Sequence, residues 1–134
     1  MFWLSHHSPA EYHRTYALGR LRVCARCAGL YPALLAALGA QFAARAPLAS
    51  AWDLPLGVGL LAPALVDWAV GQARPGAGSN GWRTATGVLL GLALGRTLYV
   101  HFQRPWPQAL VAQAALVTAV AVPVILLRLG RREG

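Results

Sequence analysis

The 134-residue chain contains no lysine, one methionine, two cysteines and only four acids. Two cysteines cannot build the disulfide framework that staples small secreted domains. Of the acids, only Asp53 and Asp67 fall at or near membrane depth, so a dicarboxylate metal enzyme would have to be assembled from several chains. No Walker loop, G-x-S-x-G, HExxH or second CxxC occurs. Without an obvious internal repeat, a monomeric alternating-access transporter is also disfavoured.

What the chain has is apolar mass and arginine. Hydrophobic residues make up 57% of it and its mean hydropathy is +0.46, too apolar for an ordinary soluble domain of this size. All twelve basic residues are arginine, for a formal net charge of +8. In a soluble chain that balance would suggest nucleic acid. Here the arginines alternate with apolar segments, which points instead to membrane topology and anionic lipid headgroups, with no nucleic-acid partner.

Four apolar segments, 28–44, 54–72, 82–102 and 107–127, each approach the ~20 residues a helix needs to cross a ~30 Å hydrocarbon core. The connectors RAPLASAWD, ARPGAGSNG and QRPWP are rich in turn formers. The expected fold is an all-α integral membrane domain spanning 1–134. Residues 1–27 form a polar cytoplasmic arm, 28–127 a compact bundle of four transmembrane helices, and 128–134 a basic tail. Strands are not expected, because backbone in lipid must be satisfied within a helix or closed barrel and the apolar runs show no period of two. Arginine is concentrated in the N-terminal segment, the middle connector and the tail, so the positive-inside rule places both termini in the cytoplasm of a multi-pass inner-membrane protein. The first apolar run starts too late, and is followed by too many others, to be a secretory signal.

The arm gathers both cysteines and most of the histidines. Cys24 and Cys27 stand three apart in CARC at the entry to the first span, where a helical turn would put both sulfurs on one face. Arg22, Arg26 and the positive helix end would favour thiolate. Two thiolates and imidazoles suit tetrahedral zinc, with His6 and His7 as the preferred nitrogen donors and His13 in reserve. Such a site would clip the arm onto the bundle mouth. The competing readings are two small buried cysteines at a helix end and a redox dithiol activated at Cys24. Covalent haem attachment is disfavoured, since Ala28 rather than histidine follows Cys27.

A second constellation lies within the spans. Asp67 falls inside the second apolar segment and needs a partner there. Arg83, entering the third span from the same side, is the expected one. Pro63, four residues before Asp67, should kink the helix near Gly59 and loosen any cavity wall around the aspartate. The pair is either a clasp between helices or, with Gln72 and Asn80, the polar lining of a headgroup or ion site. Gly87, Gly91 and Gly95 form a double GxxxG stripe that lets another backbone approach closely. With Arg83 on the same face, the stripe should turn toward Asp67, or toward a second copy in a homo-oligomer. Arg96 is expected to snorkel or to pair with Asp53, and His101 reads as a member of an interfacial aromatic belt rather than a ligand.

CARCAGLY after a His-containing arm, an intramembrane aspartate, SNGWR and TGVLLG together resemble the prokaryotic membrane-protein family catalogued as domain of unknown function 2085. The resemblance covers His6 to about Gly91 and is most specific around Cys24 to Tyr31. Cys24, Cys27, Gly29 and Tyr31 match the family's CARCTG[IL]Y block. Arg14, Thr15 and Tyr16 match an Arg-Ser-Phe-like triplet. Asp67, Ser79, Asn80, Arg83, Thr86 and Gly87 match the later block. Where the family pattern has Cys-His, this chain reads Ser5-His6, so if that cysteine is a ligand, His7 or His13 must replace it here. The family implies a membrane protein and supplies no activity.

Three functional expectations follow. The first is a small multi-pass protein whose cytoplasmic zinc site is structural, acting as an interaction or scaffold subunit. The second is a membrane enzyme or carrier for an anionic lipid headgroup at the inner leaflet, using Asp67, Asn80 and Arg83. The third is a thiol redox protein using Cys24 and Cys27.

Overall fold

The computed structural model describes residues 9–74 and 76–133. A short 3₁₀ helix, Pro9–Arg14, leads into a two-stranded antiparallel hairpin, β1 (Thr15–Leu18) and β2 (Leu21–Cys24). Four helices follow: α1 (Ala25–Ala44), α2 (Asp53–Ala73), α3 (Asn80–Gln103) and α4 (Gln108–Glu133). All four are long and apolar enough to cross a membrane.

The hairpin corrects the expectation that no strand would form. The argument against strands concerns backbone in lipid, and Thr15–Cys24 pairs outside the apolar runs. Leu18 faces Leu21 across a two-residue turn in which Gly19 takes φ +60°. Positive φ at only the first turn position is the type II′ arrangement, which glycine adopts without strain and which matches strand twist.

Helix boundaries also move. The first helix starts at Ala25 rather than at residue 28, so Cys24 is its N-cap and Cys27 lies in its first turn. The arm therefore ends at Cys24. The basic tail is not separate either, since α4 continues through it to Glu133.

Glycine organises the bundle. A Cβ on Gly87 would collide with the Arg26 carbonyl oxygen, and one on Gly91 with that of Leu30, while on Gly95 it would lie 2.8 Å from Ala37 Cβ. In return, a Cβ on Gly29 of α1 would meet the Thr84 carbonyl oxygen and sit 3.0 Å from Val88 N. The backbones of α1 and α3 thus touch at four glycines, one on α1 and three on successive turns of α3. Thr84 adds a hydroxyl bond of 2.9 Å to the Ala25 carbonyl. The stripe is occupied by α1 of the same chain. It is therefore not free to bind a second copy, and it faces α1 rather than Asp67. Contact in lipid depends on such close packing, because apolar side chains gain little by leaving lipid for each other.

Helix α2 packs on both α3 and α4, whereas α3 and α4 scarcely touch. Little apolar side-chain surface is buried. Leu35, Phe42, Val66, Leu126 and Leu127 are all exposed, an outer surface that only lipid satisfies. At the end opposite the hairpin, Arg96 binds Asp53 through two nitrogens, at 2.8 and 3.0 Å, and also donates to Gln41 Oε1 and the Pro47 carbonyl. The expected Arg96–Asp53 pair is present. Tyr99, 1% exposed, donates to the Ala46 carbonyl at 2.7 Å and meets Phe42 edge-on. His101 Nδ1 accepts the Trp106 backbone N–H at 3.1 Å beside the indole ring, in keeping with a belt residue.

Candidate functional site

The hairpin end of the bundle collects three arginines from three elements. Arg14 ends the 3₁₀ helix, Arg26 lies in the first turn of α1, and Arg83 in the first turn of α3. Asp67, a little under two turns before the C-terminal end of α2, comes among them. A cation in a first turn opposes the partial positive charge of the helix N-terminus. Two such turns therefore combine their dipoles and guanidinium charges at one end of the protein.

Asp67 does not pair with Arg83 as expected. Its Oδ2 receives a hydrogen bond and ion pair from Arg26 Nη2, with the carboxylate side chain 7% exposed and that of Arg26 22%. The cause is the glycine contact between α1 and α3. By drawing the first turn of α1 against α3, it brings Arg26 to the aspartate. Arg83, itself buried, donates instead to the Ala77 carbonyl and to Asn80 Oδ1 at 3.4 Å. It stays close to the aspartate: a Cβ on Gly78 would sit 3.4 Å from Asp67 Oδ1 and 3.7 Å from Arg83 Nη2. Gly78 has φ +80°, and its missing side chain leaves this space to the two charges. Among the described residues, Arg83 has no carboxylate at ion-pair distance.

Arg14 completes the cluster. Its Nη2 donates to the Gly71 carbonyl at 2.9 Å, capping the negative end of α2, and its Nη1 lies 3.5 Å from the half-exposed Glu11 carboxylate. The Nε atoms of Arg14 and Arg26 are buried with no hydrogen-bond partner among the described residues. Buried donors without acceptors are costly, and those on charged groups more so. Sequence reasoning missed Arg14 and Arg26 as site residues. Both stand in the arm, and nothing in their spacing shows that the hairpin folds them back over α2.

The remaining site residues divide. Asn80 joins the cluster, holding Arg83 with its carbonyl oxygen and donating to the Thr15 carbonyl of the hairpin at 3.3 Å. Tyr16 and Thr84 hydroxyls meet at 3.0 Å and fasten the same strand to α3. Gln72 does not join; its Oε1 accepts from Arg128 on α4. Pro63 lies within α2 and lines a 550 Å³ cavity with Gly59, Asp67 and Trp82.

Cys24 and Cys27 are not joined in a disulfide and lie within hydrogen-bonding reach of each other, although only Cys27 is helical. The arginines expected to favour thiolate are engaged elsewhere. Arg22 donates to Thr15 Oγ1 at 3.3 Å and lies over the Tyr12 ring, and Arg26 holds Asp67. His13 is exposed on the 3₁₀ helix, and among the described residues no three histidine, cysteine or acidic side chains converge on a point that could hold a metal. His13 is thus not gathered with the two cysteines into such a cluster. His6 and His7 lie outside the described residues.

A family profile described as predicted membrane protein, domain of unknown function 2085, matches residues 12–97. The match takes in the hairpin, the cysteine pair, Arg14, Arg26, Asp67, Asn80, Arg83 and the glycine stripe, and begins after His6 and His7. No curated protein and no solved structure matches the chain.

Proposed function

The chain belongs to this family of predicted membrane proteins, and from that premise we propose that its hairpin end binds a phosphate-bearing lipid headgroup at the inner leaflet. The observation that carries the reading is the convergence of Arg14, Arg26 and Arg83 near the buried carboxylate of Asp67, with two buried Nε donors that find no acceptor among the described residues. Arginine suits this task because its planar fork matches phosphate oxygens. The cytoplasmic placement of this end rests on the arginine-rich arm and middle connector. The binding role serves a carrier or an enzyme equally well, and no residue is assigned to a covalent step.

The test is thermal stability in detergent with glycerol 3-phosphate, set against chloride at equal ionic strength. A ligand present at about 100 times its Kd adds about 2.7 kcal/mol of apparent stability. The parent should gain such a shift and Arg83→Gln should lose most of it. Arg83 is chosen because, unlike Arg26, it leaves the Asp67 ion pair intact. Equal response to phosphate and chloride would overturn the reading. For orientation, a reporter fused after Gly134 should read as cytoplasmic, and labelling of Ala77→Cys from outside intact cells, above the parent's own background, would reverse the assignment.

The neighbouring thiols favour a second reading, structural zinc held by Cys24, Cys27 and two nitrogens from His6 and His7. Cys24 is 5% exposed, which suits a closed structural site better than thiol exchange with a partner, where the sulfur must be reached. Elemental analysis of purified protein should give one zinc per chain in the parent and none in the Cys24→Ser, Cys27→Ser double variant. Stoichiometric zinc in that variant would sink this second reading.

A further inference from the structure

Because α3 and α4 scarcely touch, the bundle carries a lateral groove of 640 Å³ between them, floored by α2. Its walls are apolar, with Leu61, Leu65 and Trp68 from α2, Leu90 and Leu94 from α3, and Val117 from α4. One cation borders it, and that cation is Arg26, the residue that pairs with Asp67. The lining on α4 runs from Leu110 to Ala121, about 16 Å at 1.5 Å per residue, a length over which an extended hydrocarbon chain can lie.

We propose that this groove holds an acyl chain of the lipid whose anionic headgroup sits at the arginine cluster. The inference rests on the headgroup reading above and adds to it the hydrophobic half of the ligand. Charge complementarity selects the occupant. A neutral helix from a second copy would fill the apolar walls but leave the guanidinium end unanswered. A soluble phosphate would answer the arginines and leave the groove empty. An anionic phospholipid satisfies both, because Arg26 stands where the polar cluster meets the apolar groove. The chain would leave lipid for the groove, so its gain comes from packing against fixed side chains rather than from escape from water. The expected selectivity is accordingly modest, about tenfold over a lipid held by its headgroup alone.

The experiment is native mass spectrometry of the full chain in mild detergent, with phosphatidylglycerol as probe and phosphatidylcholine as the zwitterionic control. The parent should retain one phosphatidylglycerol and discriminate against phosphatidylcholine. Ala114→Trp, placed on a groove-lining position that is solvent-exposed in the isolated bundle, should lower retention about tenfold. The same variant should keep its thermal response to glycerol 3-phosphate, which separates the groove from the headgroup site. Undiminished lipid retention by Ala114→Trp would overturn the groove while leaving the headgroup reading intact. Loss of the phosphate response in the parent would overturn both. A dimer mass that Ala114→Trp abolishes would assign the groove to a second copy and overturn the lipid. As a guard against a folding defect in that variant, Leu94→Phe, a milder filling of the same groove, should lower retention in the same direction.

Discussion

Asp67→Ala should destabilise the bundle by roughly 3 to 5 kcal/mol, the cost of stranding a buried charge when its partner is removed. Among the described residues, Asp67 is the one acid near the three guanidiniums that is held inside the protein; the Glu11 carboxylate is substantially exposed. Removing it leaves the half-buried Arg26 beside the buried Arg83 without its carboxylate partner. The pairing observed makes the rescue specific. Asp67→Asn combined with Arg26→Gln should recover much of the lost stability, because the ion pair is then deleted whole. Asp67→Asn combined with Arg83→Gln should recover less, since Arg83 is already held by the Ala77 carbonyl and Asn80. Thermal unfolding in detergent of the parent, the three single variants and the two doubles reads the coupling directly. Equal rescue by either arginine would mean that Asp67 belongs to the cluster as a whole and not to Arg26.

The spans were legible because lipid imposes a length and an apolar composition that no other local rule competes with. All four helices occur where they are expected, with ends within three residues of the expected ones except for α4, which runs six residues further. The ends were less legible for a physical reason. Ala25, Arg26 and Cys27 extend α1 backwards because β2 delivers the chain into the helix, a tertiary arrangement that hydropathy does not register. The hairpin itself was signalled only by Gly19 between two short runs, and at four residues a strand is too short for period two to declare itself. Charge partners were the hardest to read. Arg83 was expected opposite Asp67 because both enter from one side. Arg26 is closer because the glycine stripe turns to α1, and sequence spacing shows that a stripe exists without showing what fills it. Asp53 and Arg96 were easier, since few other charges lie near that end.

The glycine stripe gives the other large effect, and it predicts opposite signs for one and the same substitution. In an open helix interior, replacing glycine with alanine stabilises by roughly 0.4 to 1 kcal/mol, because the unfolded chain loses freedom it would otherwise regain. Gly39 of α1 has nothing within 4 Å of an added Cβ, so Gly39→Ala should follow that rule. At Gly91 the added atom would strike the Leu30 carbonyl and lie 2.9 Å from both Ala33 Cβ and Leu34 N. Two of those three neighbours are helix backbone, which cannot swing aside as a long side chain can. The helices must separate, and separation also pulls Gly87 and Gly95 off their seats. Gly91→Ala should therefore cost at the upper end of the roughly 1 to 3 kcal/mol typical of overpacking, and Gly91→Leu more. Since α1 carries Arg26 to Asp67, moving it apart from α3 should also weaken the phosphate response, although Gly91 is two turns from the cluster. Thermal unfolding of Gly39→Ala and Gly91→Ala in the same detergent decides the matter. If both shift the midpoint upward, α1 does not lie against the stripe, and the contact that brings Arg26 to the aspartate is lost with it.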